Sequence, residues 1–136
     1  MSSVVILGGH GKIALRLAGL LRDRGVSVTS VVRNPDHEAD LVSRGATPVV
    51  LDLEQADAGR IADTLAGHDA VVWSAGAGGG NPARTYAVDR DAAIRSVDAA
   101  RAAGVRRYVM VSYRGAGPGH GVPQDHPFFP YAEAKA

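Results

Sequence analysis

The sequence predicts an α/β fold, a doubly wound parallel sheet of five strands in the spatial order 3-2-1-4-5. Three observations predict it. Short β-branched runs alternate with longer segments of helical spacing along the whole chain. Glycines recur where those helical segments must stop. The first run is continuously apolar, as a strand covered on both faces should be. Strands separated by helices pair in parallel through crossovers, which are right-handed in nearly all sheets.

Residues 4–7 are the first strand, ending at Gly8. A helix starts at Lys12, with Ile13, Leu17, Leu20 and Leu21 at i, i+4, i+7 and i+8 as its expected inward face and Gly25 as its left-handed stop. A strand over 26–33 leads to a helix over 36–44 closed by Gly45, and a strand over 48–53 to a helix over 56–66 closed by Gly67. The fourth strand, 70–74, carries Trp73, expected to pack on the sheet, and runs into a glycine loop at 76–80. A long helix over 82–103 follows, with Ala93, Val97 and Ala100 as its expected inward stripe, and then a fifth strand over 107–112. A Gly/Pro/His-containing loop, 114–127, precedes a helix opened by Phe128, Phe129, Pro130 and Tyr131, where Pro130 suits the first turn. The sequence stops at Ala136 within that helix pattern. The expectation is one domain, 1–136, from a longer protein whose C-terminal part is missing here and would carry a sixth strand and the pocket-shaping residues.

The chain has 136 residues, enough for one domain with a core. A net charge of +1 gives no steering toward nucleic acid or an anionic membrane, and the one adjacent basic pair, Arg106-Arg107, reads as solvated rim. Cysteine is absent, which excludes disulfides and thiolate chemistry and fits a reducing compartment. Met1-Ser2-Ser3 has no cationic leader character, and no apolar stretch approaches membrane-spanning length. A cytoplasmic, soluble protein is expected, without nucleic-acid or membrane partners.

Gly8-x-x-Gly11-x-x-Ala14 lies between the first strand and the first helix. Glycine there allows a tight reversal and leaves the backbone bare of Cβ beside a pyrophosphate, while the third position need only be small. Free amides and the positive end of the helix dipole then face the phosphates. Gly8, His10, Gly11, Lys12 and Ile13 are the expected contacts of this turn. A P-loop is excluded because Ile13, not Ser or Thr, follows Gly11-Lys12, and a nucleophile elbow at Ser74 is excluded by Val72. The strand–turn–helix setting favours a Rossmann-type domain over a flavodoxin-like fold.

The end of the second strand reports which dinucleotide binds. An acid there would accept from the ribose 2′-hydroxyl of NAD. This chain has Val31-Val32-Arg33-Asn34-Pro35, and the Arg33 guanidinium suits a 2′-phosphate. NADP is the expected cofactor, with NAD possible, and Lys12 is a candidate second charge.

These residues resemble the atypical and extended short-chain dehydrogenase/reductases, in the NmrA-like, NAD(P)-binding branch akin to NAD-dependent epimerases and dehydratases. The likeness covers the whole chain and rests on the Gly8–Ala14 turn, Val32-Arg33-Asn34-Pro35, Asp52-Leu53, Ser74-Ala75-Gly76 and the segment 104–112. It implies that Asp52 bonds the adenine amino group, that Leu53 packs beside the base, and that Ala75 and Gly76 touch the adenosine ribose. From the residues alone, Asp52 reads equally well as a strand-end turn residue.

Ser112 ends the fifth strand at the edge where open α/β sheets bind ligands, and Tyr131 and Lys135 share one helix face a turn apart. A neighbouring ammonium, with the nicotinamide's charge, is expected to lower a tyrosine from its usual value of about 10. Tyr131 would then exchange a proton with a carbonyl or alcohol whose oxygen Ser112 hydrogen-bonds, while Lys135 holds the nicotinamide ribose. The short-chain dehydrogenases use such a trio, and segment 130–135 is similar to their Pro-Tyr-x-x-Ser-Lys with Ala134 in place of Ser. His120 and His126, flanking Asp125, read as solvated loop histidines, and no metal-ligand spacing is present. The resulting expectation is an NADP(H)-dependent oxidoreductase or epimerase-like enzyme on a small carbonyl or alcohol substrate, which in related enzymes acts as a dimer. Its rivals are a non-catalytic NADP(H) redox sensor and an NADPH-dependent flavin-type reductase.

Overall fold

The computed structural model describes residues 2–77 and 81–136, so part of the glycine loop at 76–80 lies outside the described residues. β1 (Ser3–Leu7) is the middle of a five-stranded sheet, flanked by β2 (Ser27–Val32) and β3 (Thr47–Val50) on one side and β4 (Ala70–Trp73) and β5 (Arg107–Met110) on the other. All four pairings are parallel, and the order is β3-β2-β1-β4-β5, as the alternation of elements predicts. The chain leaves β1 toward β2 and later returns to β1's other side with β4. The order therefore reverses at the carboxyl ends of β1 and β4, where such sheets open a ligand crevice. Leu7 is in register with Val31 of β2 and Trp73 of β4, so three strands end together at that edge.

The side-chain alternation of a strand divides the core into two layers. Val5 and Leu7, with Val31, Val71 and Trp73, pack on α3 (Ala58–Leu65) and α5 (Ala93–Ala102) through Ile61, Leu65, Ala93, Ala99 and Ala100. Ile6, with Val28, Val32 and Val72, packs on α1 (Lys12–Asp23) and α2 (Glu38–Ser43) through Ala14, Ala18 and Leu41. β1 is covered on both faces, which is why its apolar run is unbroken. Trp73 is fully buried in the first layer.

Four local expectations are corrected. The inward face of α1 centres on Ala14 and Ala18, with Leu17 and Leu21 of the expected stripe half-buried against the same layer, while Ile13 at 59% and Leu20 at 62% exposure turn outward. The long helix is not uniform: α4 (Pro82–Thr85) passes through a π-helical segment, Tyr86–Ala92, before α5. Its inward residues are Ala92, Ala93, Ser96, Ala99 and Ala100, so Ala93 and Ala100 lie inward as expected while Val97 stands at the rim. In both helices the most buried residues are small enough to permit close approach to the sheet. The third and fifth strands end earlier than expected, at Val50 and Met110, although the Leu51 and Val111 amides still donate to the Val32 and Trp73 carbonyls. His120 is no solvated loop residue. Its Nδ1 accepts from the Val122 amide, so Nε2 carries the proton and donates to Glu133 of α6 (Phe129–Lys135) at 2.9 Å.

Candidate functional site

The turn after β1 is held from both sides. The Gly8 and Gly9 amides donate to the Val31 carbonyl of β2, and the Ser74 amide donates to the Leu7 carbonyl. Gly8 has φ +81°, and a Cβ there would stand 2.3 Å from the Ala75 Cα. Gly9 has the same constraint toward Ser30, 2.5 Å from where its Cβ would lie. Gly11 differs: its φ is −62° and nothing lies within 4 Å of its would-be Cβ. The protein itself does not require glycine at 11. The bare backbone faces open space at the mouth of α1.

That helix start is also uncompensated. Asp57 and Asn81 cap α3 and α4 with their side chains, whereas α1 has no side-chain cap and no acid in its first turn. The amides of Lys12, Ile13 and Ala14 have no intrahelical acceptor, and the positive end of the dipole is left for a ligand. This cradle fits a diphosphate.

The turn opens on a crevice of about 400 Å³ along the carboxyl edge of the sheet. Gly8, His10 and Gly11 form one end. Arg33, Asn34 and His37 follow β2, residues 51–54 follow β3, and residues 74–77 follow β4, with Arg84 and Val88 closing the far side. Of the ten expected cofactor contacts, eight line this crevice: Gly8, His10, Gly11, Arg33, Asp52, Leu53, Ala75 and Gly76. The Lys12 and Ile13 side chains are exposed and do not line it, leaving their backbone amides as their route to a phosphate. Arg33 is exposed and, among the described residues, makes no ion pair. Asp52 accepts from the Glu54 amide at 3.0 Å, the turn geometry its sequence context suggests, and retains a carboxylate oxygen for a ligand. The β3 loop is clamped from outside, with Arg95 donating to the Leu53 and Glu54 carbonyls and Arg84 paired with Glu54 at 3.5 Å.

A second cavity of about 420 Å³ lies between the start of α4 and the segment leading into α6, lined by Asn81, Pro82, Thr85, Phe128, Pro130 and Tyr131. Of the expected catalytic trio, Tyr131 lines this cavity. Lys135 reaches back to β5, donating from Nζ to the Val111 carbonyl at 3.1 Å and standing 5.7 Å from the Tyr131 ring centre. Ser112, next to Val111, is exposed, and no hydrogen bond joins it to Tyr131 among the described residues. The ring of Tyr113 tilts against Tyr131 and meets Phe128 edge-on.

The electrostatics here contradict the expected lowering of the tyrosine. Burial raises the Tyr131 phenol above its ordinary value, and the charges of Asp89 and Tyr113 raise it further. Burial lowers the Lys135 ammonium, with Asp89 opposing. Asp89 sits in the π-helical segment at 3% exposure, and its Oδ1 has no partner among the described residues. Burial raises its carboxyl, while Lys135, the Ala77 amide and Arg84 pull it down. A tyrosine so placed is a proton donor at neutral pH.

Sequence reasoning did not find Asp89, Asn34, His37 or Arg84. Asp89 looks like any polar residue on a helix, and although it falls in phase with the inward Ala92, Ala93, Ser96 and Ala100, its burial and unpartnered Oδ1 among the described residues belong to the tertiary structure. His37 and Asn34 follow Arg33 closely enough that the same strand-end logic extends to them.

Comparison with known proteins agrees with this geometry. A family model described as NAD(P)H-binding matches residues 8–136. A UPF0659 protein of Schizosaccharomyces pombe is 42% identical over 115 residues, covering 82% of this chain and 47% of that protein. The uncharacterized sugar epimerase YhfK of Bacillus subtilis is 36% identical over 111 residues, covering 80% of this chain and 51% of its own length. A Bacillus halodurans protein described as an NAD-dependent epimerase/dehydratase superposes with a TM-score of 0.87 at 31% identity, over 99% of this chain and 61% of that one. The chain thus spans about half the length of the curated relatives it matches. No helix among the described residues is long and apolar enough to cross a membrane. With a Rossmann sheet, a bare phosphate turn and a crevice at the strand reversal, this chain belongs to the NAD(P)H-binding family, with the fold of the epimerase/dehydratase and short-chain dehydrogenase superfamily.

Proposed function

We propose that this chain binds NADP(H) in preference to NAD(H) and serves an oxidoreductase or epimerase-like reaction on a small carbonyl or alcohol substrate. The observation that carries the cofactor reading is Arg33: a guanidinium at the β2 terminus, in the crevice, free of any ion pair among the described residues, where an acid would repel a 2′-phosphate. In this reading the α1 amides and Gly11 hold the pyrophosphate, Asp52 and Leu53 take the adenine, and Ala75 and Gly76 lie along the ribose. The names of relatives that are epimerases or dehydratases support the reaction class.

A bound nicotinamide would supply hydride chemistry, giving a hydride in reduction and taking one in oxidation. In the reducing direction Tyr131, its phenol raised by burial, gives its proton to the substrate oxygen; in the oxidising direction its phenolate takes that proton back, and Ser112 hydrogen-bonds the same oxygen. Lys135 is tied to the Val111 carbonyl and keeps two further protons to offer a ribose hydroxyl. A non-catalytic redox sensor is the second reading, favoured by Ser112 standing exposed with no hydrogen bond to Tyr131 among the described residues.

Titration of NADPH and NADH against the wild-type chain and Arg33→Asp tests the cofactor assignment. A charge-assisted Arg–phosphate bond contributes about 1.5–3 kcal/mol, partly offset at an exposed edge. NADPH is therefore expected to bind roughly ten- to a hundred-fold tighter at low salt, less at high salt, with Arg33→Asp reversing the order. Equal affinities in the wild type withdraw the assignment to NADP.

A further inference from the structure

His10 and His37 come from different parts of the chain and meet face to face in the crevice wall. Their ring centres are 3.6 Å apart and their planes 9° from parallel. His10 belongs to the phosphate turn, and its Nε2 is 2.8 Å from Asp40 Oδ2 on α2. His37 ends the short 3₁₀ turn, Pro35–His37, that follows Arg33, and no hydrogen bond to its ring nitrogens is present among the described residues. Both rings line the crevice beside Arg33 and Asn34. A stacked pair, braced by a carboxylate on one ring and with free nitrogens on the other, presents an oriented donor to whatever enters.

The surrounding charge says what that donor is needed for. Arg33 is followed by Asp36 on the same turn as His37 and by Glu38 and Asp40 on α2. Lys12 is exposed at the start of α1, and across the crevice Asp52 faces in while Glu54 is paired with Arg84. Beside these acids, a further N–H donor next to Arg33 adds to what a single guanidinium offers a phosphate.

We propose that His37, held in place by the His10–Asp40 pair, is a second specificity-determining group for the phosphate on the adenosine ribose of NADP(H), donating to it from a ring nitrogen that has no partner among the described residues. This rests on the cofactor reading given above. His10 is a positioning residue: neutralising Asp40 frees its ring and removes the brace.

The test is calorimetric titration of the 136-residue chain with NADPH, NADH, adenosine 2′,5′-bisphosphate and AMP at pH 7.5, where a phosphate whose second ionisation lies near pH 6 is mostly dianionic. Expected in the wild type is a preference for the 2′-phosphorylated ligand of each pair. His37→Phe, which keeps a ring for the stack and removes its N–H, is expected to weaken NADPH about five- to tenfold and leave NADH within twofold. Asp40→Ala, which removes the brace on His10, is expected to lower the ratio in the same direction. If His37→Phe keeps the wild-type ratio while Arg33→Asp abolishes it, the histidine proposal is overturned and the Arg33 reading stands. If the wild type binds the members of each pair equally, the NADP reading fails and takes this proposal with it.

Discussion

Gly8 and Gly11 stand three residues apart in one turn, yet the structure gives opposite reasons for them, and alanine substitution separates the reasons. At Gly8, φ is +81° and a methyl would fall 2.3 Å from the Ala75 Cα and 2.4 Å from its nitrogen. An L-residue held in the left-handed region costs about 1–2 kcal/mol. Forcing a methyl against backbone that cannot step aside costs about 1–3 kcal/mol more. Gly8→Ala is therefore expected to lower stability by about 2–5 kcal/mol, which for a domain of this size is a Tm loss of very roughly 6–20 °C. At Gly11, φ is −62° and nothing lies within 4 Å. Alanine is a poorer N-cap than glycine by about 0.5–1 kcal/mol, while reduced freedom of the unfolded chain returns about 0.4–1 kcal/mol. The two nearly cancel, so Gly11→Ala is expected to melt within about 2 °C of wild type. Its methyl occupies the space a pyrophosphate needs to reach the α1 amides. Losing one charge-assisted bond of about 1.5–3 kcal/mol corresponds to roughly ten- to a hundred-fold weaker binding. Differential scanning calorimetry and nicotinamide-fluorescence titration of both variants read the two quantities separately. Unchanged NADPH affinity in Gly11→Ala, or an unchanged Tm in Gly8→Ala, refutes this account of the turn.

Tyr131→Phe is expected to leave NADPH affinity within a few-fold and to cut turnover with a carbonyl acceptor by roughly 10²–10⁴, the usual size of a lost proton donor; turnover that survives with a flavin acceptor moves the reading to a flavin-type reductase. Asp89, whose carboxyl is raised by burial, favours the folded state while protonated, so its contribution is complete below its ordinary value and lost as pH rises through the raised one. Melting wild type and Asp89→Asn at pH 4 and 7 should therefore show the wild type losing ground to the variant at the higher pH, and equal differences at both would deny the shift. Asp89→Asn also removes a charge that raises Tyr131, so the alkaline limb of any Tyr131-dependent activity should move to lower pH. Leu65→Ala, at a fully buried position in the layer between sheet and α3, is expected to cost about 2–5 kcal/mol in urea or thermal unfolding, and a cost below about 1 kcal/mol would mean the layer closes around the gap.

Most of the cofactor side of the candidate site was legible because its parts are local. A glycine turn sits between adjacent elements, and Arg33, Asp52 and Ala75 each terminate or follow a strand, so the parallel order alone brings them to one edge. The proton-handling side was much less legible. Tyr131 and Lys135 share a helix face by spacing, but the direction of the tyrosine's shift depends on what buries it and on Asp89, forty-two positions earlier in the chain. The expected lowering counted the nearby ammonium and omitted burial, which is the larger influence here. His37 was passed over for a similar reason, since its meaning comes from a ring twenty-seven positions away whose angle is set by Asp40.

The sequence by itself determined the strand order, the site of reversal and the glycine turn, because these follow from period-two and helical patterning and from backbone conformations that only glycine adopts readily. Tertiary packing decided which residues the helices turn inward. The expected stripes placed Ala93 and Ala100 inside correctly but also Ile13, Leu20 and Val97; a helix lying on a sheet gains most from close approach, and Ala14, Ala18 and Ala99, which the stripes left out, allow it. Packing also decided the π-helical segment, Tyr86–Ala92, an offset of one residue in hydrogen bonding that no side-chain pattern encodes.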